Sequence, residues 1–153
     1  MCTGIALAVS EVPLAFVEKL PGRIHDREGL RELQFHYWER PTVLPVQWDG
    51  ELRLIRWGNQ NRRAPLPFGP WLSEEQLRQG TLAQACPLRV VIPANLGYDR
   101  GTWFLIEQGI VGVVLSKAPG GPVVYMLTRP STNYYRNMAG QCERMPVLVN
   151  QLI

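Results

Sequence analysis

A cysteine directly behind the initiator methionine is the first residue of this chain able to do chemistry. The sequence opens MCTGIALAV. Cys2 is small, so methionine aminopeptidase is expected to remove Met1 and leave a cysteine with a free α-amino group. That terminus carries two nucleophiles on adjacent carbons. The amine titrates near ~8 and the thiol near ~8.5, so both are partly reactive at neutral pH. With an aldehyde, the amine forms an imine and the thiol closes onto it as a five-membered thiazolidine, a reaction no internal cysteine can perform. A reagent of this kind wants a carboxylate or imidazole to move protons and a donor to hold the substrate. It also wants a basic surface if the aldehyde is carried on DNA. The plainer reading of Cys2 is a small hydrophobe packed ahead of an apolar strand.

Other chemistry is missing. The chain has two histidines, His25 and His36, and neither has metal-ligand spacing with a cysteine. No metal and no cofactor are expected. There is no Gly-rich phosphate loop, no dinucleotide fingerprint and no nucleophile elbow. The three cysteines, Cys2, Cys86 and Cys142, are an odd number, which argues against a disulfide framework. The N-terminus shows no basic segment ahead of an apolar run, and no stretch approaches the ~18 apolar residues of a membrane span. These features predict a soluble, cytoplasmic protein without a membrane partner.

The elements that must position Cys2 follow from the pattern. GIALAV reads as a buried first strand. SEVPLAFVEKL carries a helix-start signal, with Ser10 as candidate N-cap. A polar stretch follows to about Arg40. TVLPVQW and ELRLIRW flank Asp49-Gly50, the residue pair suited to a tight hairpin. WGNQNRRAPLPFGPW is irregular. Ser73, with Glu74 and Glu75, caps a short helix SEEQLRQ. RVVIPA is a buried strand, TWFLIE and IVGVVL are strands joined across Gln108-Gly109, and PVVYMLT is another. Ser131 is expected to cap a short helix through about Met138, and MPVLV closes the chain. At least seven short strands with about three short helices predict an α+β fold, a mainly antiparallel sheet or barrel with helices packed outside.

The bulk properties fit one globular domain over residues 1–153. Of those 153 residues, 46% are hydrophobic and 19% charged, so a disordered chain is excluded. The formal net charge of +3 is compatible with a nucleic-acid partner and does not require one. Arg53, Arg56, Arg62 and Arg63 lie close to Trp48 and Trp57 in the sequence. Arginines beside aromatic rings are what single-stranded DNA grooves use, although Trp57 reads better as core.

Several stretches, in order, add to the Met-Cys start: WGNQNRR, IPANLGYD, LTRPSTN and ERMPVLV. Together they resemble the SOS response-associated peptidase family, whose members crosslink through an N-terminal cysteine to abasic sites in single-stranded DNA. The order holds from Cys2 to Leu148, nearly the whole chain. The resemblance implies that Cys2 is the nucleophile, that Asn61 supports it, and that Arg63, with Arg62 beside it, holds a phosphate. It implies that Asp99 stands for the family's catalytic Glu and Cys142 for its His. Trp57 matches the Trp-Gly position, and Arg144, Met145 and Pro146 match the Arg-Met-Pro. Departures are Thr3-Gly4 after the cysteine, a carboxylate shortened by one methylene, and a thiol where an imidazole is expected. Read without the family, Asp99 and Asn61 are plausible turn and loop residues, and Cys142 is a small buried one. Either histidine could supply the missing imidazole if folded near Cys2. Tyr134, Tyr135 and Arg136 edge a surface or pack.

Three functions remain open. The first is a monomeric covalent DNA-repair module acting on abasic, single-stranded DNA, with lyase and autopeptidase activity. The second is a catalytically impaired DNA- or protein-binding module on the same scaffold. The third and weakest is a thiol peptidase using Cys2.

Overall fold

The fold is that of a computed structural model describing residues 1–153. The strands are β1 Gly4–Ala8, β2 Ile24–Arg27, β3 Leu30–His36, β4 Val43–Trp48, β5 Glu51–Trp57, β6 Trp71–Ser73, β7 Pro87–Ile92, β8 Leu96–Asp99, β9 Thr102–Leu105, β10 Ile110–Leu115, β11 Val123–Pro130 and β12 Arg144–Pro146. The helices are α1 Leu14–Lys19, α2 Glu74–Arg78 and α3 Asn133–Met138, with two 3-10 turns between. The α+β, barrel-like architecture is as the sequence predicts.

Two sheets carry the strands. One has the order β2-β3-β1-β8-β9 and is antiparallel throughout. In the other, β10-β7-β4-β5-β11 forms a ring that closes by β10 pairing with β11. Strands β6 and β12 extend it on either side of the C-terminal half of β11. The pairings of β11 with β5 and β6 are parallel, an exception to the antiparallel rule. Strand β11 begins VVYMLT, and those six residues are all buried, as an apolar run enclosed on both faces must be. Residues of both sheets share one core, including Ile5, Leu7, Leu33 and Phe35 from the first and Leu44, Ile92 and Met126 from the second.

The β4–β5 hairpin turns at Asp49 and Gly50, both at positive φ (51° and 73°), as expected. The polar stretch up to Arg40 holds two strands. It contains the β2–β3 hairpin, turned at Glu28-Gly29, with Leu33 and Phe35 alternating inward. Ser10 is not a helix cap. It sits in a 3-10 turn, and α1 starts after Pro13, which fixes its own φ and needs no donor. Ser73 does cap α2, through a reciprocal capping box with Gln76. Thr132, not Ser131, caps α3 by accepting from the Tyr135 amide at 3.1 Å. LGYD is strand β8, and Asp99 closes it directly before the turn at Arg100-Gly101. Strands β9 and β10 are consecutive but belong to different sheets, so Gln108-Gly109 is a crossover between layers.

Candidate functional site

The N-terminus is fixed by β1 and its neighbours. The Thr3 amide donates to the Tyr98 carbonyl at 2.9 Å, and the Tyr37 amide donates to the Thr3 carbonyl at 3.0 Å. Trp71 Nε1 donates to the Cys2 carbonyl at 2.7 Å. These bonds hold residues 2 and 3 between β8 and β3. Cys2 is 1% exposed, and its Sγ donates to the Gly4 carbonyl at 3.2 Å. Burial pushes its thiol up to about 12, aided by the Asp99 charge and opposed by backbone hydrogen bonds and the N-terminal ammonium. With Met1 in place the thiol is therefore neutral at physiological pH.

Asp99 ends β8 and faces inward. It is fully buried, yet both its oxygens are satisfied. The Met1 α-ammonium lies 3.1 Å from Oδ1, and the Tyr135 hydroxyl donates to Oδ2 at 2.6 Å. Tyr135, on α3, is also fully buried. Its phenol is pushed far above the usual range, by burial first and then by Cys2, Asp99 and Cys142. Cys2, Asp99, Tyr135 and Cys142 thus form one cluster at the chain's N-terminus. Cys142 is buried, and its Sγ donates to the Arg144 carbonyl at 3.2 Å.

Beside the cluster lies a cleft of about 370 Å³ lined by Met1, Trp71, Arg100, Cys142, Glu143 and Arg144. Arg144 is braced in this wall. Its guanidinium donates to Thr128 Oγ1 and to the Thr128 carbonyl, at 3.1 and 2.9 Å, and reaches Glu75 at 3.2 Å. Arg100 donates to the Gly140 carbonyl at 2.9 Å. Met145 and Pro146 are buried in β12, where their side chains build the barrel wall and not an exposed surface.

The loop after Trp57 lies elsewhere. Asn59 organises it from a buried position, accepting from the Asn61 amide and donating to the Asn61 and Leu66 carbonyls. Asn61 is exposed and turns the chain by accepting from the Arg63 amide at 3.0 Å. It lines a separate cleft of about 620 Å³ with Thr42, Arg56 and Gln60. The buried, bonded asparagine is therefore Asn59, two residues before the position the motif spacing indicates. Trp57 is 1% exposed, with Nε1 donating to the Pro70 carbonyl, so its indole is not free to stack on a base. Arg62 and Arg63 are exposed, and the Arg62 guanidinium sits 4.0 Å from the centre of the Phe68 ring.

Neither histidine joins the cluster. His36 pairs with Gly4 in register, as does Tyr98, on the face of the sheet opposite Asp99. There it stacks on Trp38 at 4.2 Å. Burial lowers its pKa, so it is neutral near pH 7. His25 is on edge strand β2. Sequence reasoning missed Trp71 and Arg100 and left Tyr135 unassigned. The spacing of Tyr135, Met138, Ala139 and Cys142 is the signal that puts Tyr135 on an inward face.

No helix is long and apolar enough to cross a membrane. No group of three or more His, Cys, Asp or Glu side chains converges as a metal would require. No protein-family profile, curated protein or solved structure matches the chain.

Proposed function

We propose that, once Met1 is removed, Cys2 forms a covalent adduct with the aldehyde of an abasic site in single-stranded DNA. The observation that carries this reading is the Met1 ammonium 3.1 Å from buried Asp99, whose other oxygen is held by Tyr135. A carboxylate set to receive the chain's own amine is what an N-terminal imine-forming reagent needs. Removing Met1 moves the α-amine onto Cys2 and takes away one of the residues lining the cleft.

The chemistry then runs in balanced steps. The Cys2 amine adds to the aldehyde carbon, and Asp99 relays the proton that lets water leave as the imine forms. The Cys2 thiol adds to the imine carbon, its proton passes to nitrogen, and the ring closes as a thiazolidine with net loss of one water. The same imine could undergo β-elimination of the 3′ phosphate, a lyase outcome. Trp71 Nε1, bonded to the Cys2 carbonyl, orients the nucleophile. That is the role the family resemblance gives to Asn61. Arg100 and Arg144 at the cleft supply positive charge for phosphates, and Arg62 and Arg63 add to it from the separate loop after Trp57.

The test mixes Met1-processed protein with single-stranded DNA bearing one abasic site and resolves the products on a denaturing gel. A shifted band with the abasic strand, absent with the intact strand and absent for Cys2→Ala, is the expected result. Crosslinking undiminished in Cys2→Ala would overturn the mechanism.

A second reading, a non-covalent binding module, is favoured by one observation: the Cys2 thiol is 1% exposed and pushed up to about 12. It predicts salt-sensitive binding of single-stranded DNA that is indifferent to Cys2.

A further inference from the structure

Strand β9 is an edge of the five-stranded sheet, paired only with β8. The Ile106 amide donates to the Asn95 carbonyl, which sets the phase of the ladder. Residues 102 and 104 therefore bond toward β8, and the N–H and C=O groups of Trp103 and Leu105 point outward. An open row of this kind is normally short, charged or covered.

Here it is covered at one place, by a side chain. Gln151 Nε2 donates to the Leu105 carbonyl at 3.2 Å, and Gln151 Oε1 accepts from the Glu107 amide at 2.9 Å. In a parallel pair, one residue donates to the carbonyl of position i−1 and accepts from the amide of i+1. The Gln151 carboxamide thus reproduces, opposite Ile106, one peptide unit of a parallel strand. The next such station is opposite Phe104, formed by the Trp103 carbonyl and the Leu105 amide. It has no partner.

The surface beside that station is apolar. A groove of about 650 Å³ runs along β9, lined by Trp103, Leu105, Tyr134, Met138, Gln151 and Ile153. Leu105 and Tyr134 are 66% and 64% exposed within it. Two large apolar side chains thus stand in solvent beside the unfilled backbone station.

We propose that the β9 edge is a docking site for an extended polypeptide that adds to the five-stranded sheet parallel to β9. Its main chain takes the Trp103 and Leu105 station, and its alternate side chains enter the groove against Tyr134 and Met138. The occupant is identified as polypeptide by the amide geometry that Gln151 already copies. This site is separate from the Cys2 cleft and does not depend on the DNA reading.

The test pans a phage-displayed library of random linear peptides, about twelve residues long, against the full chain. Enriched peptides are then synthesised and measured by calorimetry. Leu105→Pro removes the outward N–H while sparing the β8–β9 ladder, and proline is tolerated on such an edge. It is expected to keep its circular dichroism spectrum and lose at least about tenfold in affinity, whereas Leu105→Val, which keeps the N–H, retains binding. Gln151→Ala exposes a second station and is expected to tighten binding. That variant decides the matter if the proline chain fails to fold. No enriched peptide, or peptides indifferent to both variants, would overturn the proposal. So would self-association of the free chain abolished by Leu105→Pro, since the edge would then belong to a second copy.

Discussion

Substituting Tyr135 by Phe isolates the contact that holds the candidate site together. The hydroxyl donates to Asp99 Oδ2 at 2.6 Å, and both residues are fully buried. Phenylalanine keeps the ring, including its edge-on packing against Phe104 at 5.4 Å between centroids. Only the donor is lost, leaving the carboxylate with the Met1 ammonium alone. A hydrogen bond to a buried charged group is worth about 1.5–3 kcal/mol. We expect Tyr135→Phe to cost about 2 kcal/mol, or about 4–8 °C in Tm for a chain of this size. Urea unfolding followed by tryptophan fluorescence measures it, with an unchanged m-value as the sign that only native stability moved. Asp99→Asn in the same background completes a double-mutant cycle, and the coupling is expected to exceed about 1 kcal/mol. A Tyr135→Phe loss below about 0.5 kcal/mol, or full additivity of the two changes, would refute the reasoning.

The raised Cys2 thiol makes a pH prediction. The folded chain keeps this proton up to about 12, while the unfolded chain releases it near ~8.5. The native state then binds more protons, so the associated stability is fully present below ~8.5 and is lost as pH rises toward 12. Cys2→Ala is expected to flatten the alkaline fall in urea-derived stability over that window. In the unprocessed native chain, a thiol-reactive chromophore should label half-buried Cys86 first and spare buried Cys2 and Cys142 until denaturant is added. Gly58→Ala should lower stability by about 2 kcal/mol or more, read by thermal unfolding. Gly58 has φ of 64°, and an added Cβ would come within 2.5 Å of the Gly69 carbonyl oxygen. Replacing Arg62 and Arg63 together by Ala should weaken single-stranded DNA binding. The slope of log K against log salt should fall by about 0.7 for each phosphate contact removed.

Much of the fold was legible because it rests on local rules. The Asp49-Gly50 hairpin, the Ser73 cap and the buried runs of β1, β10 and β11 all follow from turn chemistry and apolar pattern. What escaped depended on partners distant in sequence. The β2–β3 hairpin carries charged residues on its solvent side that mask the Leu33 and Phe35 alternation. That β9 and β10 part into different layers is decided by pairing, which no local signal encodes. The site divides the same way. Cys2, Asp99 and Cys142 lie together near the N-terminus, whereas Asn61, with Asn59, lines another cleft. Tyr135 and Trp71 reach the cluster from an α3 face and a short strand far from Cys2 in the chain; spacing marks Tyr135 as inward-facing, and the folded geometry gives its partner.

Peptide mapping by mass spectrometry of the product between Met1-processed protein and abasic single-stranded DNA tests the central claim most directly. The account predicts a nucleic-acid adduct on the N-terminal peptide beginning at Cys2. Its mass should equal the sum of peptide and abasic fragment less one water, it should resist borohydride, and Cys2→Ala should not form it. An adduct on a lysine or an internal cysteine, or none with Met1 shown to be absent, would contradict it.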